Sequence, residues 1–142
     1  MLKPRQDLKP NTAAYETEAL VKPTGFREYD ARWILEKEIN LLGVQALGLG
    51  LATYVHEIGV EPRIVTGHDF RGYSLSVKQA LIIGLMQGGM EVLDVGLALS
   101  PMAYFGQFEL KAPCVAMVTA SHNENGWTGV KMGANPPLTF GP

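Results

Sequence analysis

The sequence predicts an α/β fold: a three-layer αβα domain with a mixed, mainly parallel sheet of about four strands. Three observations carry this expectation. Short apolar runs rich in β-branched residues alternate along the chain with longer segments of helical period. Glycine or proline marks most of the changes of period. The stretches between the runs are long enough to hold helices, as crossovers between parallel strands require.

Taken in order, residues 1–24 mix Lys, Pro, Asn, Thr and Glu without an apolar period, so they are expected to be an N-terminal tail, mobile or only draped on the domain. The fold proper is expected to begin near Gly25. From Glu36 to Ile58 the residues Ile39, Leu42, Ala46, Leu49, Tyr54 and Ile58 fall at mostly helical spacings, and Gly59 supplies a stop. Pro62 precedes Arg63–Thr66, a short β-branched run ending at Gly67, which reads as a buried strand. After the loop GHDFRGYS, the pattern from Ser74 to Met86 predicts a second helix closed by Gln87-Gly88-Gly89. Glu91–Val95 is the next strand. Ser100-Pro101 reads as an N-cap and N1 pair opening a third helix to about Leu110, and Pro113 introduces the apolar strand Cys114–Val118. Residues 135–142, rich in proline and glycine, read as a linker or a truncated boundary.

Composition narrows the functional classes. At 142 residues the chain suits a single domain, and 46% hydrophobic with 18% charged residues excludes a disordered polymer. A formal net charge of -2 gives no electrostatic footprint for nucleic acid or an acidic membrane, so neither is expected as a partner. The longest nearly apolar stretch, Leu41 to Val55, is shorter than the roughly 18 residues of a membrane span. The lone Cys114 makes no internal disulfide, no Cys/His cluster offers structural zinc, and the N-terminus lacks the pattern of a signal peptide. A reducing, cytoplasmic setting is the expectation.

Chemistry is concentrated where the apolar run Val115–Val118 passes into Thr119-Ala120-Ser121-His122-Asn123-Glu124-Asn125-Gly126. Loops at the carboxyl ends of parallel strands are where α/β proteins place ligands. Ser121 is expected to stand exposed there, with His122, Asn123 and Lys131 offering donors to an anion. Lys131 brings a compact charge that binds phosphoryl oxygens. By composition alone, however, such a loop is more often a hydrated turn than an active site. A serine-hydrolase reading is weaker, because Ser121 lacks the G-x-S-x-G elbow.

Thr119–Gly133, TASHNENGWTGVKMG, resembles the phosphoserine loop of the α-D-phosphohexomutases, written T-A-S-H-N-P followed by N-G-x-K. Gly25–Trp33, GFREYDARW, resembles the opening F-R-x-Y-D-I-R-G segment of the phosphomannomutase/phosphoglucomutase branch, and Ile64–Ser74 resembles the family's arginine-bearing loop after the second strand. The three motifs stand in the family's order. Departures are Glu124 and Asn125 where the family often has Pro, Thr128 for the usual Asn, and Ala31 and Trp33 for Ile and Gly.

The resemblance implies that residues 25–134 are phosphohexomutase domain I, the N-terminal catalytic-serine domain of an intramolecular phosphotransferase. Such an enzyme moves phosphate between the 1- and 6-positions of a hexose through a phosphoserine and a hexose 1,6-bisphosphate intermediate. It implies Ser121, His122, Lys131 and Arg32 as catalytic residues, Tyr29, Arg32 and Lys131 as substrate contacts, and Asn123 and Arg71 as loop support. Arg32, Ser121 and Lys131 are all expected on the exposed rim of the sheet. Mg²⁺ is implied as cofactor, held in part by an oxygen of phosphorylated Ser121. The implied partners are a hexose phosphate and C-terminal domains of the same polypeptide, whose Asp-rich metal loop and sugar-selecting segments this chain lacks. The chain alone is therefore expected to be inactive. The alternative from another class is a stand-alone phosphosugar- or anion-binding module without catalysis, and the length of the encoded reading frame separates the two.

Other motifs have plainer readings. Leu47–Thr53, LGLGLAT, contains G-x-G inside a helical pattern, which suits close helix packing rather than a dinucleotide site. His68-Asp69 with Arg71 supplies too few ligands for a metal and reads as loop support. His56 reads as a surface or satisfied side chain, and Cys114 as a small core residue.

Overall fold

A computed structural model of the chain describes residues 18–136 and 138–141. It contains five strands: β1 (Ala31–Ile34), β2 (Arg63–His68), β3 (Glu91–Leu97), β4 (Cys114–Val118) and β5 (Trp127–Ala134). Three helices, α1 (Leu41–Glu57), α2 (Ser74–Gln87) and α3 (Ser100–Glu109), carry the crossovers. The sheet order is β1-β5-β4-β2-β3. β4, β2 and β3 pair in parallel, while β5 pairs antiparallel to both β1 and β4, so four strands share one direction and β5 alone is reversed. This is the mixed, mainly parallel sheet the sequence predicts, with one strand more.

The layers follow from the pleat, because successive side chains of a strand face opposite sides. Ile64, Cys114, Ala116, Val118, Val130 and Met132 join the large core that includes Val44, Val55, Val77 and Leu81 of α1 and α2. Val65, Val115 and Met117, one residue out of phase, meet Ala103 of α3 in the smaller core. Helices thus cover both faces. At the α1–α2 crossing a Cβ on Gly48 would lie 2.3 Å from the Leu81 carbonyl oxygen, and one on Gly84 would lie 1.9 Å from that of Gln45. Of the G-x-G of α1, Gly48 is spent on backbone-to-backbone packing, while Gly50 faces open space. Among the described residues no helix is long and apolar enough to cross a membrane.

Several boundaries differ from the expectation, each for a local reason. α1 starts at Leu41, not Glu36, because the Asn40 side chain accepts from the Gly43 N–H at 2.7 Å and caps the helix. Ser100 is the first helical residue of α3, and Leu99 stands at its N-cap without a side-chain cap. β2 and β3 run two residues further than expected, to His68 and Leu97. The expected tail lies outside the described residues for 1–17. Its later part packs: Leu20 and Val21 are buried, and the Leu20 N–H donates to Asn40 Oδ1 at 3.0 Å. The Trp33 indole N–H donates to the Lys22 carbonyl at 2.8 Å. At the other end Phe140 donates its N–H to the Met132 carbonyl and meets Tyr54 edge to face, so this part of residues 135–142 folds back along β5.

Candidate active site

β2 and β4 are neighbours with His68 opposite Val118, so the segments that follow them, Asp69–Tyr73 and Thr119–Gly126, leave the same edge of the sheet side by side. Asp69 is the hinge between the two. Its buried carboxylate accepts from the Thr119 hydroxyl at 2.9 Å, the Ala120 N–H at 3.3 Å, the Ser74 hydroxyl at 2.5 Å and the Arg71 N–H at 3.2 Å, and it pairs with the Arg71 guanidinium. Burial pushes this carboxyl up, but the hydrogen bonds from Ser74, Arg71 and Thr119, with the Arg71 charge, outweigh it and hold it below its ordinary value.

Arg71 extends the grip. Its Nη2 donates to the Ser121 carbonyl at 3.1 Å and to the Asn123 carbonyl at 2.6 Å. The Ser121 N–H donates to the Thr119 hydroxyl at 2.9 Å, and the Asn123 N–H to the Ala120 carbonyl at 3.0 Å. Ser121 takes a φ of 55°, a left-handed conformation that costs a non-glycine residue roughly 1 kcal/mol or more and persists only where its surroundings enforce it. Ser121, three residues past the central strand β4, is exposed, as the sequence predicts, and His122 beside it is exposed too. Arg71 and Asn123 both take part in holding the loop.

A second group lies on β1 and β5. Arg32 stands opposite Gly129, where an added Cβ would lie 2.6 Å from Arg32 Nη1, so glycine makes room for the guanidinium. Asp30 gathers the cations: its Oδ2 lies 2.7 Å from Arg32 Nη2 and 3.5 Å from Lys131 Nζ. Burial lowers the Arg32 pKa while Asp30 raises it, and Arg71 and Asp69 also act on it, so the two groups share one electrostatic field. Tyr104 of α3 is pushed up by burial and by Asp30. Tyr29 is 65% exposed. One expectation is corrected: Arg32 is 6% exposed rather than on the rim, because Asp30 and Gly129 let it lie flat against the sheet. Lys131 is half-buried and Ser121 exposed.

Sequence reasoning singled out Ser121, Arg71, Asn123, Arg32 and Lys131 but not Asp30, Tyr73 or Tyr104, and it gave Asp69 only general loop support. The signal for Asp69 is its place in the loop GHDFRGYS, just past the expected strand and two residues before Arg71. Tyr73 reads only as part of the loop GHDFRGYS, ahead of the helix expected from Ser74. Thr128, in the position where the resemblance expects Asn, is buried with its hydroxyl oxygen unpartnered. Among the described residues no group of three His, Cys, Asp or Glu could hold a metal ion. The plain readings of the remaining motifs hold: His56 Nε2 lies 2.9 Å from the Gly88 carbonyl, and the Cys114 thiol is buried and pushed up to about 11.

Comparison with known proteins gives a consistent set of likenesses. Residues 23–142 match the family model described as phosphoglucomutase/phosphomannomutase, alpha/beta/alpha domain I. The chain is 36% identical over 107 residues to a protein of Xanthomonas campestris named for phosphohexose mutases, covering 75% of this chain and 23% of that protein. It is 37% identical over 109 residues to a phosphomannomutase of Escherichia coli, covering 77% of this chain and 23% of that protein. A solved structure of a phosphoglucomutase/phosphomannomutase family protein from Burkholderia thailandensis superposes with a TM-score of 0.73 at 26% identity, over 80% of this chain and 26% of that one. The chain spans about a quarter of the length of these relatives.

Proposed function

We propose a function from one premise: the chain belongs to the phosphoglucomutase/phosphomannomutase family and forms its α/β/α domain I. In this reading it is the part of a phosphohexomutase that carries the phosphoryl group, with Ser121 as carrier. The observation that carries the proposal is the exposed, left-handed Ser121 at the carboxyl edge of β4, its carbonyl held by Arg71 and the preceding Thr119 and Ala120 held by Asp69. A hydrated turn has no need of such a grip.

Phosphorylated Ser121 gives its phosphoryl group to a free hydroxyl of a hexose monophosphate: the Oγ–P bond breaks, the sugar O–P bond forms, the sugar hydroxyl gives its proton to a base, and the departing Oγ takes one up to leave the free serine hydroxyl. The bisphosphate turns over in the site and returns its other phosphoryl group to Oγ. Positioning and charge do most of the work in such a transfer. Arg32 and Lys131 supply positive charge beside the loop, and Asp30 fixes both in place while neutralising part of it. Tyr29 and His122 stand exposed, where a sugar phosphate could meet them.

When bound, Mg²⁺ would neutralise the transferring oxygens. The described residues do not make a site for it unaided, since they offer no cluster of three ligands. This chain would contribute an oxygen of the Ser121 phosphate, and the remaining ligands would come from outside these residues. Three-quarters of the relatives' length lies beyond the match, so the isolated chain is proposed to show neither mutase turnover nor tight Mg²⁺ binding.

The test is phosphosite mapping of the full-length polypeptide together with Ser121→Ala kinetics. Phosphate on Ser121 and loss of nearly all turnover in the variant are the expected results. Phosphate on Ser74, Ser76 or Ser100 instead, or normal turnover by Ser121→Ala with glucose 1,6-bisphosphate supplied, would overturn the assignment.

A further inference from the structure

Ser121 sits on one limb of a loop whose other limb is tied down by a residue that the phosphoryl-transfer reading does not use. The loop leaves the sheet at Val118 and returns at Trp127. Its outgoing limb is gripped by Asp69 and Arg71. On the return limb the Tyr73 hydroxyl accepts from the Gly126 N–H at 2.9 Å and donates to the Trp127 carbonyl at 2.7 Å. The hydroxyl therefore spends its donor and one acceptor lone pair on the backbone of a single turn.

The other side of that turn is also fixed, since the Leu35 N–H donates to the Gly126 carbonyl at 2.9 Å. Gly126 has a φ of 96° and Ser121 one of 55°, so two left-handed residues bracket the four between them. With both limbs held, the bracketed segment has no room to trade its turn for another. If the return limb is freed, the loop can swing and Ser121 can relax towards the right-handed backbone that non-glycine residues prefer, which redirects its side chain. The Tyr73 ring is partly buried against the large core and precedes the first residue of α2, so the hydroxyl is presented from a rigid base.

We propose that Tyr73 is a positioning residue: through its hydroxyl, the segment Asp69–Tyr73 clamps the serine loop at both ends and sets the direction in which Ser121 presents its oxygen. The inference rests on Ser121 being the phosphoryl carrier. Tyr73 touches no reacting atom in this account and acts only through the backbone of Gly126 and Trp127.

Tyr73→Phe isolates the effect, because it keeps the ring and its packing and removes only the hydroxyl. In the full-length polypeptide, a hexose 1-phosphate with the matching 1,6-bisphosphate is the substrate pair, and the unmodified enzyme, Tyr73→Phe and Ser121→Ala are compared. The expected result for Tyr73→Phe is a kcat lowered roughly tenfold, within the range that small misplacements of a reacting group produce, with KM nearly unchanged. Hydrogen-exchange mass spectrometry on the same protein should show faster exchange confined to peptides spanning residues 119–127. A merely structural tyrosine would lower the melting temperature and leave kcat per folded molecule intact, which overturns the inference, as does a change in KM alone or an unchanged loop exchange. Failure of the wider reading looks different. If Ser121→Ala turns over normally, the carrier assignment falls and takes this inference with it; if Ser121→Ala is dead while Tyr73→Phe has full kcat, only the positioning role falls.

Discussion

The Asp69 carboxylate accepts a hydrogen bond from the Thr119 hydroxyl at 2.9 Å, joining two loops 50 residues apart in sequence. Thr119 in turn accepts from the Ser121 N–H, so one carboxylate reaches the candidate carrier through a single side chain.

Asp69→Asn should therefore disturb the loop more than the protein. An amide can still accept with its oxygen, but it loses the charge that pairs with Arg71 and places two donors where Ser74, Thr119 and backbone N–H groups already donate. A loss of roughly 1–3 kcal/mol is expected, the range for leaving buried polar partners unsatisfied. Limited proteolysis should show new cleavage between residues 119 and 126, and a cleavage pattern identical to that of the unmodified protein would count against the Asp69 grip.

Acid should weaken the same contacts. The folded Asp69 carboxyl lies below its ordinary value because hydrogen bonds and Arg71 outweigh burial, and Asp94 is lowered in the same direction by Lys78 and by Gly96 and Thr66, again against burial. A depressed carboxyl binds fewer protons in the folded state than in the unfolded one, so its stabilisation is present above the ordinary value of about 3.9 and is lost as pH falls through the lower folded value. Denaturant midpoints measured from neutral pH down to about 3 should fall most steeply at the acid end, and Asp69→Asn should flatten that limb.

The α1–α2 crossing predicts two glycine substitutions of opposite sign. Gly84→Ala places a methyl group 1.9 Å from the Gln45 carbonyl oxygen and 2.8 Å from the Leu49 nitrogen, backbone atoms that cannot turn aside. It should cost roughly 1–3 kcal/mol or more by forcing the helices apart. Gly50→Ala, in the interior of α1 with nothing within 4 Å of its added carbon, should gain roughly 0.5–1 kcal/mol. Urea titrations of the two variants decide the matter.

Arg32 and Lys131 should separate in stability while agreeing in activity. Each substitution to Ala in the full-length polypeptide is expected to lower turnover by roughly 10²–10³, the scale for one charge-stabilising group at a transfer site. Arg32→Ala also strips Asp30 of its nearest cation and empties the space above Gly129, so its melting temperature should fall clearly. Lys131→Ala breaks a longer, part-exposed pair at 3.5 Å and should shift stability by about 1 kcal/mol or less. Equal melting temperatures for the two variants would contradict the burial of Arg32.

What the sequence disclosed follows the strength of local signals. β4 was legible to the residue because five consecutive apolar positions stand between Pro113 and the polar serine loop. β1 and β5 were not, since Arg32 interrupts a four-residue strand and Gly129 and Gly133 are weak strand formers that dilute the β signal of β5. Both exist because tertiary context pairs them: Gly129 is there to clear Arg32, a reason that no local pattern announces. At the site, Ser121 and Arg71 were readable from motif and position. Asp30 and Tyr73 were not, because their roles depend on register across β1 and β5 and on the approach of two loops far apart in sequence.

The place of β1 at the far edge of the sheet also sets an order of assembly. Ala31 pairs with Val130, about 100 positions later, whereas the pairings of β2 with β3 and with β4 close over about half that separation or less. On a ribosome adding 5–20 residues per second, Ala31 and Trp33 would wait roughly 5–20 s for the strand that covers them. The unit from β2 to β4 can collapse in that interval, bringing Asp69 to Thr119 before Arg32 has anything to lie upon. The charge of Arg32 and Lys131 would then be the last part of the candidate site to arrive, and a nascent chain stalled before β5 would display a serine loop still without its return limb.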